Sequence, residues 1–314
     1  MSRTIVIALG GNAIIREKEK GTRDEQWHNI RKICDTMAEL VRQGHKVVIT
    51  HGNGPQVGNS LIKNEMASGV VPAMPMDVIV ANTQGLIGYG ILQAMENRFQ
   101  AMGQDLAIAA LVTQVVVDPQ DPAFQNPTKF VGTFYSKEEA DFLSREKGYL
   151  MKDDAPRGWR RVVPSPEPLE IVEGRIIRQL VESGVLVVAV GGGGIPVART
   201  PEGLAGVEAV IDKDLASEKL AGEIGADTLF LLTEVERVCL HYGTPEQQEL
   251  AKLTVEEAQS YLAQGHFPDG SMGPKMKAAI RFVQEKPGNE AFIVSMEKAH
   301  KAFSGESGTR IYRG

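Results

Sequence analysis

Apolar and polar residues alternate along the chain in a repeating unit. A short apolar run is followed by a glycine-rich turn, and then by a stretch with the periodicity of a helix. The first unit is a predicted strand over 4–9, followed by a helix that begins at the capping pair Thr22 and Glu25 and ends at Gly44. This alternation is typical of βαβ crossover units. It predicts an α/β fold with a mainly parallel central sheet.

The same pattern places the later elements and one long departure from the sheet. It predicts a helix over 77–102, a central strand over 106–117, a helix over 171–182, strands over 185–190 and 228–233, and a helix over 276–285. Residues 118–168, here called the excursion, contain several prolines, a second capping pair at Ser136 and Glu139, and a predicted hairpin. We expect the excursion to act as a lid or arm. Two lobes are predicted, over 1–180 and 181–314.

Composition and charge exclude several classes of protein. The 314 residues are 42% hydrophobic and 24% charged, which is ordinary for a globular protein. Lysine and arginine total 34 against 40 acidic residues, a net charge of −6 without a basic run, so no nucleic-acid partner is expected. No apolar run is long enough for a membrane span, and Cys34 and Cys239 have no disulfide or zinc spacing. We therefore expect a cytoplasmic protein without a membrane partner.

Glycine-rich corners follow three of the predicted strands. The first corner is Gly10-Gly11-Asn12, the second is Gly52-Asn53-Gly54, and the third is the run 191–194. Without side chains at these positions, backbone N–H groups can approach a bound anion. Neither the P-loop nor the dinucleotide-binding fingerprint is present. Because strand ends share one edge of a parallel sheet, the corners predict an anion site there.

Three lysines add positive charge near these corners. Lys213 stands between Asp212 and Asp214 at a predicted strand end, Lys275 follows a Gly-Pro pair, and Lys129 lies in the proline-rich start of the excursion. Alone, the Asp-Lys-Asp run would be typical of a solvated surface pair. Beside three anion-ready corners, the lysines favour phosphoryl transfer, which needs cations to offset charge on the moving group.

Histidines and arginines add less to the prediction. The six histidines, His51 included, lack metal or triad spacing, so a structural role is expected for them. Arg157, Arg160 and Arg161 could contact phosphate from the excursion, or they could be ordinary surface.

Seven segments in order along the chain resemble the carbamate kinases of the amino-acid-kinase family. They are ALGGNA at 8–13, HGNGPQVG at 51–58, QNPTK at 125–129, RGWRRVVPSPEP at 157–168, GGGGIPV at 191–197, GVEAVIDKDLASEKLA at 206–221 and GSMGPK at 270–275. The resemblance implies a three-layer α/β/α sandwich. It also implies the reversible reaction of ATP with carbamate, formed from ammonia and bicarbonate, to give ADP and carbamoyl phosphate. Mg²⁺ would arrive with the nucleotide and not at a dedicated metal site. The enzyme would be a cytoplasmic homodimer that makes ATP in arginine catabolism.

The resemblance also implies roles for individual residues. Carbamate and the phosphoryl group would be held by Gly10, Gly11, Asn12, Gly52, Asn53 and Gly54 in an acceptor lobe over 1–180. Lys129, Lys213 and Lys275 would neutralise the charge of the transition state. Asp214 would orient the lysines, with Asp212 beside it. The nucleotide would be bordered in the lobe 181–314 by Gly192, Gly193, Thr233, Tyr242, Met272, Gly273 and Pro274. Phe130 and Thr133 replace two usual prolines, and Glu234 replaces a usual aspartate.

Three alternatives remain at this point. The chain could be a kinase of the same fold for another small carboxylate, although HGNGPQVG implies a small acceptor pocket. It could be a catalytically silent binder of carbamoyl phosphate or nucleotide, but no site lysine is lost. A nicotinamide-dependent oxidoreductase is disfavoured because the fingerprint is missing.

Overall fold

A computed structural model describes residues 2–16, 18–268 and 270–314, with the side chain of Asn12 also left outside the description. The helices are α1 (Arg23–Arg42), α2 (Gly54–Ala67), α3 (Met76–Ala101), α4 (Lys137–Lys147), α5 (Gly174–Glu182), α6 (Lys213–Ile224), α7 (Val255–Ala263) and α8 (Met272–Glu285). The strands are β1 (Thr4–Leu9), β2 (Lys46–His51), β3 (Ile108–Ala110), β4 (Gln114–Val116), β5 (Lys129–Tyr135), β6 (Met151–Asp153), β7 (Trp159–Val163), β8 (Glu170–Ile171), β9 (Leu186–Val188), β10 (Ile195–Thr200), β11 (Gly203–Gly206), β12 (Thr228–Thr233), β13 (Val238–Leu240), β14 (Gln248–Leu250), β15 (Lys252–Thr254), β16 (Glu290–Ser295) and β17 (Thr309–Tyr312). No helix in these residues is both long enough and apolar enough to cross a membrane.

The main sheet has eight strands in the order β15-β17-β16-β12-β1-β2-β9-β3. From β16 to β3 all neighbours are parallel, whereas β17 runs antiparallel to β16. Alternate residues of β1 face opposite layers, because successive side chains of a strand point to opposite faces. Val6 and Ala8 join a core that includes α5 to α8, while Ile5 and Ile7 join a core that includes α1 and α3. The predicted α/β/α sandwich is therefore confirmed.

The predicted central strand over 106–117 is wrong. The chain forms β3 at the edge of the main sheet and then β4 in a second sheet, whose order is β11-β10-β4-β8. The break falls at Thr113, which is fully buried. The side chain of Gln84 on α3 accepts from the Thr113 N–H at 2.8 Å and donates to the Thr113 carbonyl at 3.1 Å. An apolar run does not reveal that a distant glutamine holds the backbone at its middle.

The excursion has its own small sheet. Strands β5, β7 and β6 are antiparallel in the order β5-β7-β6, and α4 begins at the predicted capping pair of Ser136 and Glu139. The predicted hairpin is therefore confirmed as β6 and β7. The boundary near residue 180 stays a prediction, since strands from both sides of it share the main sheet.

Candidate active site

The three glycine corners lie side by side. They follow the carboxyl ends of β1, β2 and β9, which are neighbours in the main sheet. A Cβ built on Gly52 would lie 2.7 Å from the backbone nitrogen of Gly11, so the first two corners approach too closely for any larger residue. Gly192 of the third corner packs against the side chain of Asn53. The predicted meeting of the corners at one edge of the sheet is confirmed.

Asp212 joins a helix terminus to the excursion. It is the N-cap of α6, and its Oδ1 accepts from the backbone N–H groups of Asp214 at 2.9 Å and Leu215 at 3.4 Å. Its Oδ2 lies 2.9 Å from Nζ of Lys129, the first residue of β5. One carboxylate therefore caps the helix and also binds the lysine of the excursion.

Asp214 lies between the other two lysines. Its Oδ1 is 2.5 Å from Lys213 Nζ and its Oδ2 is 3.0 Å from Lys275 Nζ. The three side chains are only 5%, 14% and 13% exposed in the same order, so the pairs are shielded from water. Contacts of this kind between charged groups are about twice as strong as neutral hydrogen bonds. The sequence predicted that these residues belong together, and the structure brings them together.

Two local expectations about this cluster are corrected. Lys213 was expected at a strand end, but 207–212 is irregular and Lys213 is the first residue of α6. The final helix was expected to start at Met276, but α8 begins at Met272 and already includes Lys275. Pro274 fits the first turn of α8 because the amide N–H groups there have no partner within the helix.

The lysine cluster lies against the second corner. A Cβ built on Gly52 would be 3.1 Å from Cδ of Lys213. The Ser217 hydroxyl donates to the Lys213 carbonyl at 2.5 Å and lies 2.6 Å from the hydroxyl of Thr50 on β2. These bonds fix the start of α6 beside the strand that leads to the corner. Cations and anion-ready backbone groups thus share one site.

Burial and charge shift the pKa values of the cluster in different directions. Burial would raise the pKa of Asp212, but the ammonium groups of Lys129 and Lys213 lower it to about 2. Burial lowers the pKa of Lys213 despite its contact with Asp214. Burial acts on Lys275 in the same direction, but the charge of Asp214 outweighs it and raises the pKa of Lys275. Asp212 is therefore ionised at neutral pH, and of the two lysines on Asp214, Lys213 loses its proton first.

His51 supplies no charge to the site. It is 1% exposed, and burial lowers its pKa to about 4, so the ring is neutral at pH 7. Its Nδ1 lies 3.1 Å from the Gly52 carbonyl. The amide of Asn53 is also engaged, since its Nδ2 donates to the Thr83 hydroxyl at 2.8 Å. Among the residues that the structure describes, no three His, Cys, Asp or Glu side chains are grouped to hold a metal ion.

The predicted nucleotide residues are spread more widely. Thr233 ends β12, Tyr242 is 66% exposed in a loop, and the segment 272–274 forms the first turn of α8. Gly193, within the third corner, packs against the carbonyl of Ile211. The roles of these residues stay predictions, as do those of the glycines and lysines. The side chain of Asn12 lies outside the described part of the chain.

Glu208 is a contact residue that the sequence prediction missed. Its Oε1 lies 2.9 Å from Nη2 of Arg161 in the excursion, and its Oε2 accepts from the backbone N–H of Met76 at 3.0 Å. Nearby, the N–H of Val210 donates to the carbonyl of Pro164 at 3.0 Å. The excursion is thus tied to the loop that leads into Asp212. Nothing local in the sequence reveals this, because the partners are far apart along the chain.

The arginines of the excursion form ion pairs within the chain. Arg157 and Arg160 both contact Asp154 at 3.2 Å, and the guanidinium of Arg160 lies 5.5 Å from the ring centre of Phe130. Phe130, which stands where the family usually has proline, therefore has a packing partner of its own.

Two carboxyl groups face each other between the helices that carry the lysines. Glu218 on α6 is 6% exposed, and burial together with the charge of Glu285 on α8 raises its pKa to about 7. Arg281 and Lys219 oppose this shift. The pair therefore holds a proton in the folded protein at mildly acidic pH.

Comparison with known proteins agrees with this geometry. The sequence profile of the Amino acid kinase family matches residues 3–295. The chain is 50% identical to the carbamate kinase of Pyrococcus horikoshii over 313 residues, 99% of each chain, and 45% identical to that of Clostridium perfringens over 312 residues, 98% of this chain and 99% of the relative. It is similar in structure to carbamate kinase from Giardia lamblia bound to AMP-PNP, with a TM-score of 0.94, 46% identity, and coverage of 100% of this chain and 99% of the other.

The chain belongs to the carbamate kinases of the amino acid kinase family. The family and the fold class predicted from the sequence are confirmed. As a member of this family the chain is an ATP-dependent phosphotransferase.

Proposed function

We propose that the chain transfers a phosphoryl group reversibly between ATP and carbamate, giving ADP and carbamoyl phosphate. The observation that carries this proposal is the buried Lys213-Asp214-Lys275 cluster, packed against the second glycine corner. Including Lys129 and Asp212, the site has three cations and two anions, 3 − 2 = +1. A positive site beside glycine-rich corners suits an anionic phosphoryl group.

The lysines are proposed to act by charge and position alone. An attacking carbamate oxygen is already an anion, so the reaction needs alignment and charge neutralisation but no general base. Lys213 and Lys275 would offset the charge that spreads over the phosphoryl oxygens between donor and acceptor. Because Asp214 already holds both, little reorganisation is needed when that charge develops. A neutral His51 agrees with the absence of a base.

Mg²⁺ is proposed to arrive bound to the nucleotide phosphates. Asp212 and Asp214 are the carboxylates of the cluster, and their oxygens are taken by lysines and by backbone N–H groups. They therefore do not offer a ready-made metal site. When bound, Mg²⁺ would supply further positive charge to the phosphates.

Lys129 is proposed to be delivered by the excursion. It is 42% exposed, compared with 14% for Lys213 and 13% for Lys275, and it contacts the site through its ion pair with Asp212. A lysine on a separate small sheet can move with that sheet when substrate enters or leaves. The ties through Glu208 would set its position in the closed form.

We also propose that the chain works as a cytoplasmic homodimer that makes ATP in arginine catabolism. The cellular role rests on the family resemblance. For the dimer there is a further support, since Leu86, Tyr89 and Val112 are 44%, 53% and 59% exposed and lie near the open edge strand β3. Sedimentation equilibrium of the protein and of Tyr89→Glu tests it, and a concentration-independent monomer mass for the unaltered protein would refute it.

The reaction is tested by ATP formation from MgADP and carbamoyl phosphate, with acetyl phosphate as the control donor. We expect rapid ATP formation with carbamoyl phosphate and much slower formation with acetyl phosphate. Preference for acetyl phosphate would indicate a kinase for another carboxylate. Binding of nucleotide without turnover of either donor would indicate the silent binder instead.

A further inference from the structure

A cavity of about 440 Å³ lies at the edge of the main sheet opposite the glycine corners. Its wall includes Arg3, which immediately precedes β1, and the first residues of β15 and β16, Lys252 and Glu290. The first glycine corner begins at the other end of β1, about 20 Å away at ~3.3 Å per residue. The cavity is therefore separate from the proposed catalytic site.

The wall of the cavity is positively charged. Arg3, Lys252 and Arg310 contribute three cations against the single anion Glu290, 3 − 1 = +2. Glu290 pairs with Arg3 at 2.6 Å and also with Arg310, so it neutralises only part of their charge. Lys252 has no ion pair within the described chain. Burial lowers the pKa of His45, which accepts the backbone N–H of Arg3 and adds no charge.

An aromatic surface lies beside these cations. Phe303 is half-buried, its ring centre is 5.4 Å from that of Phe292, and the guanidinium of Arg3 lies 5.1 Å from it. Aromatic walls with a few convergent polar groups are typical of small-molecule sites, and 440 Å³ falls within their usual range of about 300 to 1,000 Å³.

Two polar atoms of the same wall are buried without a partner. Ser307 Oγ and Arg310 Nε make no hydrogen bond to any part of the chain that the structure describes. Buried polar groups in folded proteins are nearly always paired. Because neither atom is accessible from the cavity in this structure, a bound molecule could pair with them only if the side chains of Ser307 and Arg310 turned toward it.

We propose that this cavity binds a small organic phosphate, with its phosphate on Lys252, Arg310 and Arg3 and its planar part against Phe303. Arginine and lysine are the residues that recognise phosphate, and a guanidinium bound to one carboxylate still has donors to offer. Phe303 already packs on Phe230, Phe292 and His45, and the part of its half-buried ring that stays exposed offers a planar group a surface that a plain inorganic anion would not use. The proposal concerns a site outside the phosphoryl-transfer cluster and does not depend on the reaction proposed there.

Phenyl phosphate is a suitable probe because it combines a phosphate with a planar ring and is not a nucleotide. Hydrogen–deuterium exchange locates its binding, and calorimetry measures its affinity, with inorganic phosphate and phenol as the two half-probes. We expect phenyl phosphate to slow exchange over 300–310, and to bind more tightly than either half-probe. Lys252→Gln should weaken it about two- to fivefold, as for one exposed charge pair. The matched variant Lys137→Gln, in the excursion, should leave its affinity unchanged.

The proposal is overturned if exchange over 300–310 does not slow, or if Lys252→Gln binds phenyl phosphate as well as the unaltered protein. Protection confined to the glycine corners would place all binding at the catalytic site and would also overturn it. Equal affinity for inorganic and phenyl phosphate would refute the role of the planar part. Phe303→Leu provides an independent check, because it should weaken phenyl phosphate and leave inorganic phosphate unchanged.

Discussion

Replacing Lys275 by methionine separates the proposed catalytic charge from the stability of the fold. The change removes one cation but keeps a side chain of similar length in the first turn of α8. Asp214 then retains Lys213 at 2.5 Å, so one cation still faces one anion. A buried pair is costly to break chiefly because a charge is left unpaired, and here none is. We therefore expect the free energy of unfolding to change by no more than about 1 kcal/mol.

The catalytic loss should be much larger. A unit charge about 4 Å away interacts by about 4 kcal/mol at an effective dielectric constant of 20, which suits the shielded position of Lys275. Removing one preorganised group that stabilises charge in a transition state costs about 10² to 10³ in kcat. At ~1.4 kcal/mol per factor of ten this is about 3 to 4 kcal/mol, close to the electrostatic figure. Because the charge matters most when the phosphoryl group is between donor and acceptor, KM should change less.

A matched control lies two residues further along the same helix. Lys277 pairs with Glu167 of the excursion at 2.5 Å, away from Asp214, and is 43% exposed; Arg281 also binds Glu167, at 2.7 Å, and would keep it tied to α8 in the variant. Lys277→Met makes the same chemical change in α8 and should keep kcat within about twofold. The assay is ATP formation from MgADP and carbamoyl phosphate, together with thermal unfolding of each variant. Unaltered turnover in Lys275→Met would refute its catalytic role, and an equal loss in both variants would show that the helix, not the charge, was perturbed.

Three further changes test other parts of the site. Asp214→Asn should lower kcat nearly as much as loss of a lysine and keep the shape of the pH–rate profile, because the carboxylate holds cations and moves no proton; a new acid limb in that profile would contradict this. Glu208→Gln should lower kcat/KM about two- to fivefold and speed hydrogen exchange in the excursion, because its ion pair with Arg161 is lost. The control Glu170→Gln breaks a comparable surface pair, with Arg199, and should do neither. Since the folded-state pKa of Glu218 is raised from 4.5 to about 7, the free energy of unfolding should fall by about 1 to 3 kcal/mol as pH rises through that window, and Glu218→Gln should remove the fall in denaturant titrations at pH 5 and pH 8.

Most of the layered fold could be predicted because its signals are local. Apolar runs, glycine turns and capping pairs such as Ser136 with Glu139 act within a few residues. In the structure, capping pairs of this kind lie at the starts of α1, α4 and α7. The failure at 106–117 has a different cause. That segment is apolar except for Thr113 and Gln114, and Gln84 on α3 holds the backbone of Thr113 where the run divides between two sheets. The polar pair does not by itself reveal its distant partner on α3.

The candidate site likewise has parts that local sequence signals predict and parts that depend on long-range packing. Glycine corners and lysines were predicted from residue type and order, and parallel strands bring the corners together because their carboxyl ends share an edge. The pairing of Lys275 with Asp214 spans 61 positions, and that of Arg161 with Glu208 spans 47. Pairings over such distances depend on how α6, α8 and the excursion pack. The carboxyl pair of Glu218 and Glu285 was missed for this reason.

The two aspartates explain why three lysines can be held close together before any phosphate arrives. Without a carboxylate between them, Lys213 and Lys275 would repel each other in a shielded site, and burial would drive off a proton. Asp214 offsets that repulsion, while Asp212 fixes the start of α6 through backbone N–H groups and holds Lys129 with its other oxygen. The aspartates are thus as necessary to the arrangement as the lysines. An arriving phosphoryl group would meet cations that are already in place, with Lys129 of the excursion held there by Asp212.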